Sequence, residues 1–254
     1  MEYKIRVEKE FRYVEAGSGE PLVLMHGLFG ALSNFKSIID HFSNDYKVVI
    51  PLLPLFELEV SDSTLDGLLL YFEKFVEYKE FSKFHLLGNS LGGHLSLIYT
   101  LKHQDKILSL SLTGSSGLFE NSLGDSYPKK GDYEYVKTKT EYTFYDPKIA
   151  SKELIDEVFE IVNNREKAIR VLYIARSAIR HNVKDQLETI TIPVNLIWGR
   201  EDKITPLFAG EEFKKLIPNS QLHIIDLCGH VPMMEHPELF NRYLEGFLKS
   251  IKNS

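Results

Sequence analysis

The chain has 254 residues, 43% apolar and 26% charged, with a net charge of -6 at pH 7. That is long enough for one large core, or for a core carrying an insertion. The acidic balance and the lack of a dense basic block argue against a nucleic-acid surface, and no apolar run approaches the ~20 residues of a membrane span. A single cysteine, Cys228, excludes an internal disulfide framework. The first residues, Met1 to Arg6, lack the apolar segment of a signal peptide, which points to a cytoplasmic protein.

Taken in order, Tyr3 to Val14 alternates charged and apolar residues before Gly17-Ser18-Gly19 and reads as an antiparallel edge pair closing on that turn. Pro21 to Met25 is a short continuous apolar run, as expected of a strand buried on both faces. His26-Gly27-Leu28-Phe29-Gly30 follows as a loop, Asn34 to Phe42 as a helix, and Tyr46 to Leu53 as a second buried strand. Ser63-Thr64 is placed to cap a helix with Leu65, Leu68, Leu69, Phe72, Phe75 and Val76 on one face. A strand ending at Leu87, a helix from Leu91 to Lys102 and a strand from Ile107 to Leu112 come next. After Gly114 the periodicity changes. Residues 118–190 are mostly helical in pattern, with helices over Ser151–Asn163 and Glu166–Ile179. Strands resume at Val194–Trp198 and Leu222–Asp226, and a helix from Pro237 to Ile251 closes the chain. Alternating strands and helices predict an α/β fold with a mostly parallel sheet covered on both faces. The core is expected at 1–117 and 191–254, with 118–190 inserted as a helical cap.

The chemistry-bearing motif is Gly88-Asn89-Ser90-Leu91-Gly92, set between a strand and a helix. A G-x-S-x-G turn in that context lifts the serine hydroxyl to the edge of a parallel sheet and aims the first helical N–H groups at whatever it attacks. A serine hydroxyl is a poor nucleophile near neutral pH, so it needs a base, and the base needs an orienting group. His230 follows the last strand and Asp202 the penultimate one. Loops at the carboxyl ends of parallel strands gather on one edge, and the order serine, acid, histidine suits a Ser90–Asp202–His230 triad. Glu201 and Asp226 are the other possible orienters. The backbone N–H groups of Leu28 and Leu91 are the expected oxyanion donors.

These residues carry a resemblance. HGLFG at 26–30, GNSLGG at 88–93, WGREDKITP at 198–206 and CGHVPMMEHP at 228–237 resemble the α/β-hydrolase-fold serine hydrolases over essentially the whole length. The flavour is that of the carboxylesterase and meta-cleavage C–C hydrolase branch, and Phe144-Tyr145-Asp146-Pro147 resembles its cap. The resemblance implies a cofactor-independent hydrolase acting on a small carboxylic ester through an acyl-enzyme. Two features depart from the pattern. Pro51-Leu52-Leu53-Pro54-Leu55-Phe56-Glu57 replaces the usual Asp-x-Pro-Gly-x-Gly stretch. Val231 stands where C–C hydrolases commonly carry tryptophan, which favours an ester over a vinylogous diketone.

The rival enzymatic reading is C–C bond hydrolysis of a β-diketone or dienone. A ligand-binding receptor and a cofactor-free haloperoxidase or dioxygenase are readings of other classes. His26 is expected to brace the oxyanion loop, His94 to be a packed histidine and Cys228 an apolar filler. The nine histidines show no metal-ligand spacing, so no metal or other cofactor is expected. Tyr127, Tyr133, Tyr135, Tyr142, Phe144 and Tyr145 are expected partly to hold the cap to the core and partly to line an apolar pocket, with Tyr142 and Phe144 setting ester preference. One of Arg170, Arg176 and Arg180 is a possible partner for a substrate carboxylate. The expected partner is a small-molecule ester, with no nucleic acid or membrane, on a monomer or homodimer.

Overall fold

A computed structural model describes residues 3–29, 32–119 and 131–252. Gly30 and Tyr127 lie outside the described residues. Among the described residues eight strands form one sheet: β1 (Arg6–Glu8), β2 (Phe11–Ala16), β3 (Glu20–Met25), β4 (Tyr46–Pro51), β5 (Phe84–Asn89), β6 (Ile107–Thr113), β7 (Val194–Gly199) and β8 (Ser220–Ile225). Their order is β1-β2-β4-β3-β5-β6-β7-β8. From β4 to β8 all neighbours are parallel, and β2 alone runs against the rest, antiparallel to both β1 and β4. The edge pair exists, but its turn lies at Lys9-Glu10, where Lys9 takes φ 53°. Gly17–Gly19 instead carries the chain from β2 into β3. A side chain on Gly17 would collide with the carbonyls of Ser43 and Tyr46, so this turn is packed against the start of β4.

Two cores lie on the two faces. On one, Leu68, Phe72 and Phe75 of α2 (Leu65–Tyr78) and Leu95 and Tyr99 of α3 (Leu91–Lys102) pack on Leu86, Leu110 and Leu196. On the other, Ile38 and Ile39 of α1 (Lys36–Phe42) and Phe240, Leu244 and Leu248 of the closing helix pack on Leu22, Leu24 and Ile50. Local chemistry agrees with the elements. The Thr64 hydroxyl accepts the Gly67 N–H and starts α2. Every residue of β5 is buried, as continuous apolar runs in parallel sheets require.

Helices α4 (Tyr133–Glu141), α5 (Lys152–Asn163) and α6 (Arg165–Arg180) fall between β6 and β7. Ser151 caps α5 through the Leu154 N–H, and Asn164 caps α6 through the N–H groups of Glu166 and Lys167. Helix α7 (Leu207–Leu216), between β7 and β8, has no counterpart in the sequence reading. Pro206 ends the loop before it, and only Ala209, Gly210 and Phe213 are buried, too short a stripe for periodicity to stand out. The short α8 (Pro232–Glu235) and the long α9 (Pro237–Lys252) complete the chain.

Three glycines allow β5, its turn and α3 to meet. A Cβ on Gly88 would collide with the Gly92 carbonyl and lie 2.6 Å from Gly93 Cα. One on Gly92 would collide with the carbonyl of Met25, at the end of β3. Gly88→Ala should therefore destabilise the fold by at least about 2 kcal/mol through overpacking. Thermal unfolding should show Tm lowered by roughly 5–10 °C, and an unchanged Tm would contradict this packing.

Candidate active site

Register builds the site. Met25 pairs with Gly88, Asn89 with Thr113, Thr113 with Ile197 and Gly199 with Ile225. Strands β3, β5, β6, β7 and β8 therefore end side by side, and the loops bearing Leu28, Ser90, Asp202 and His230 leave one edge of the sheet together. Ser90 sits at φ 55° and ψ -120°, a sharp turn between β5 and α3. Its N–H donates to Thr113, and its carbonyl accepts from the N–H groups of His94 and Ser116. Gly27 lies close enough that a Cβ there would be 3.2 Å from Ser90 Cβ. The loop that runs on to Leu28 thus starts against Ser90, and Leu91 opens α3, where the first N–H groups have no partner within the helix.

Asp202 is the carboxylate that meets His230. His230 Nδ1 and Asp202 Oδ2 are 2.9 Å apart, and both side chains are buried. The Asp202 carboxylate is fully engaged: Oδ1 accepts the N–H groups of Ile204 and Thr205, and Oδ2 also accepts the Thr205 hydroxyl at 2.9 Å. Buried charge is tolerated only when hydrogen-bonded in this way. Thr205 is held in turn, because its carbonyl accepts the indole N–H of the fully buried Trp198 at 2.7 Å. The other two acids are occupied elsewhere. Glu201 accepts the Cys228 N–H at 2.9 Å, and Asp226 pairs with Arg200 at the surface.

Asn89 and Thr205 were missed by the sequence reading. The Asn89 amide donates to the carbonyls of Thr113 and His230 and so ties the serine turn to the histidine loop. Both stand inside quoted motifs, at positions where the motif fixes no side-chain role. His26 braces a neighbour as expected. Its Nε2 accepts the Leu53 N–H at 3.0 Å, and Nδ1, carrying the proton, faces the Gly27 carbonyl at 2.9 Å. Burial holds its pKa below the ordinary histidine value, in keeping with that neutral tautomer. Burial, and then the acids around it, push the Cys228 thiol well up, so it is no thiolate nucleophile.

Two expectations about residues 131–190 change. Phe144 is buried in the second core, in the same cluster as Val231 and Met233, so it holds structure together rather than offering a free face. Tyr142 is half exposed, its ring 4.9 Å from the Lys203 ammonium. Arg170 is committed to carbonyls, its Nε–H donating to Leu58 at 2.7 Å and its Nη1 to Glu166. Arg176 and Arg180 are exposed. Among the described residues no group of three or more His, Cys, Asp or Glu side chains is arranged to hold a metal ion. Nor is any described helix long and apolar enough to cross a membrane.

With this geometry in view, comparison with known proteins decides the family. The family model for the alpha/beta hydrolase fold matches residues 20–138 and 130–237. The chain belongs to the α/β-hydrolase family. It is a hydrolase. A solved α/β-hydrolase enzyme, MGS-MChE2, from a sediment metagenome of the Mar Chica lagoon in Morocco, is 39% identical over 97% of this chain and 98% of its own, with a TM-score of 0.80. A 2-hydroxy-6-oxo-6-(2'-aminophenyl)hexa-2,4-dienoic acid hydrolase of Metapseudomonas resinovorans is 29% identical over 94% of this chain and 87% of its own length. A monoacylglycerol lipase of Bos taurus is 23% identical over 100% of this chain and 84% of its own.

In this hydrolase His94 is a packed histidine one turn into α3. It is fully buried, with Nε2 3.0 Å from His181 Nδ1 and no hydrogen-bond partner at Nδ1 among the described residues. Burial, then the neighbouring His181, push its pKa down to about 3. It is neutral in the fold, while the unfolded chain protonates it near pH 6.5. Its contribution to stability is therefore lost as pH falls from about 6.5 towards about 3. Wild type should lose about 2 kcal/mol more than His94→Asn between pH 6.5 and 5 in urea unfolding. Parallel pH dependences would refute a neutral buried His94.

Proposed function

We propose that the protein is a cofactor-independent serine hydrolase of small carboxylic esters. Ser90 is the nucleophile, His230 takes its proton and returns it to the leaving group, and Asp202 orients His230 and stabilises its cation. The N–H groups of Leu28 and Leu91 bind the developing oxyanion, a donor of this kind being worth about 3 kcal/mol. Water then resolves the acyl-enzyme with His230 as base. The observation that carries this reading is the buried 2.9 Å contact between His230 and Asp202 on the sheet edge that also presents Ser90 in its strained turn. A protein that only binds has no use for an aligned acid–base pair.

Residues 118–190, of which 120–130 lie outside the described residues, form in this proposal a helical cap over the core of 1–117 and 191–254. Supporting it, α4–α6 interrupt the strand–helix alternation, and the Thr143 carbonyl accepts the His230 N–H at 2.9 Å. A cap of this kind excludes water from acylation.

C–C bond hydrolysis remains the second reading, favoured by the dienoic acid hydrolase among the relatives. Arg170, spent on carbonyls, lends it no support. A panel of p-nitrophenyl esters of graded acyl length, run beside a dienone substrate, separates the two, and turnover of the dienone alone would overturn the ester assignment. Ser90→Ala should abolish turnover with folding intact, and a fluorophosphonate should label wild type once, at Ser90. Labelling at another residue, or persistent turnover in the variant, would refute the nucleophile. Asp202→Asn should lower kcat by roughly 10³–10⁴-fold while KM changes little. A larger loss in Asp226→Asn would reassign the acid.

A further inference from the structure

Glu235 lies five residues beyond His230, at the end of α8, yet its side chain turns back on the histidine loop. Oε1 accepts the Gly229 N–H at 2.7 Å, and Oε2 accepts the Tyr145 N–H at 2.8 Å. The His230 N–H, next along the chain, donates to the Thr143 carbonyl at 2.9 Å. Three hydrogen bonds thus stitch residues 143–145 to residues 229–230, and two of them run through one carboxylate. The stitch is tight. A Cβ on Gly229 would lie 2.7 Å from the Thr143 carbonyl oxygen, 2.8 Å from the Tyr145 nitrogen and 3.0 Å from Glu235 Oε1.

Neither segment is a strand or a helix at this point, so the N–H groups of buried Gly229 and of Tyr145 have no backbone ladder to receive them, and the Glu235 carboxylate does so instead. A carboxylate suits the task because charge-assisted bonds to N–H are about twice as strong as neutral ones. Both oxygens are needed, since the donors come from segments 84 residues apart in sequence. The His230 ring is fixed at Nδ1 by Asp202, and its backbone is fixed by this second clamp.

We propose that Glu235 is a positioning residue for His230, pinning residues 143–145 to the histidine loop so that this part of the segment between β6 and β7 is a fixed wall of the site. The proposal rests on the reading of His230 as the base for Ser90. Loss of the clamp lets the His230 peptide drift, and a misplacement near 1 Å costs on the order of 10²-fold in rate.

Glu235→Gln keeps one acceptor and turns an amide N–H₂ towards the other donor. Glu235→Asp keeps the charge but is one methylene too short to reach both N–H groups. Both variants should lose roughly 10–100-fold in kcat on a p-nitrophenyl ester, with KM within about threefold of wild type. In an Asp202→Asn background, Glu235→Gln should add little further loss, because His230 is already misaligned. A purely structural effect would multiply. Hydrogen exchange of the unmodified protein supplies an arm that needs no variant: the amides of Tyr145, Gly229 and His230 should be protected like those of β5 and β6. Variants with kcat within twofold of wild type, multiplicative losses, or wild-type amides exchanging as fast as exposed loops would each overturn the proposal. Ser90→Ala, assayed alongside, keeps the two claims apart. Turnover surviving in Ser90→Ala sinks the nucleophile, whereas the exchange arm still judges the clamp.

Discussion

The structure depends on a close approach made without side chains. The carbonyl ends of β3 and β5 and the first turn of α3 meet at Gly88, Gly92 and Gly93, and a Cβ at any of the three would overlap backbone or, at Gly93, Ser115. Ser90 at the apex takes a positive φ that costs a serine about 1–3 kcal/mol. Such strain persists only where the surroundings over-determine it. Here every residue of β5 is buried, as is α3 through Thr100, and both backbone groups of Ser90 are hydrogen-bonded to neighbouring elements. The serine has no lower-energy alternative that leaves those contacts in place.

The acid and the histidine are held differently, by a chain of polar contacts anchored in an apolar core. Trp198 is buried entirely, its ring packed on Gly210 and near Phe213. Its one polar atom donates to the Thr205 carbonyl, Thr205 donates to Asp202, and Asp202 meets His230. Hydrophobic burial of the indole is thereby transmitted to the orientation of a carboxylate. Low local dielectric strengthens each of these bonds, and the same dielectric penalises any that is left unmade. Glu201 and Cys228 add a reciprocal backbone and side-chain tie between the two loops.

How much of this was legible in the sequence follows from the range of each interaction. The strand–turn–helix around Ser90 is local, and its glycines and apolar runs announce it. The loops of Asp202 and His230 follow from a rule about where parallel strands end, whereas the choice of Asp202 over Glu201 and Asp226 needs the hydrogen bonds that only the fold displays. Glu235 escaped notice because its partners are backbone N–H groups, one of them in a distant segment, and no side-chain pattern records such a bond. Phe144 was ambiguous because an aromatic residue that fills a core and one that lines a pocket have the same composition. The hairpin was mis-turned because Gly17 and Gly19 advertise a turn more loudly than Lys9, though both places take positive φ.

The loop at residues 51–58, which departs from the family pattern, is tied to its surroundings at both ends. Leu53 and Leu55 are buried, and the Leu53 N–H is received by His26, beside the proposed oxyanion donor Leu28. At its far end the Leu58 carbonyl accepts from Arg170 on α6, and a few residues on, the Leu65 N–H donates to Ser177 of the same helix. Residues 51–58 therefore join the oxyanion side of the site to α6 through hydrogen bonds at both ends. A glycine-rich loop would leave room at this place, whereas this one fills it with leucine. A shift of α6 either carries the loop with it, and so the Leu53 N–H that His26 receives, or breaks the bonds to Leu58 and Leu65. Residues 51–58 are thus held as one packed unit between His26 and α6, where the family pattern has a glycine-rich turn.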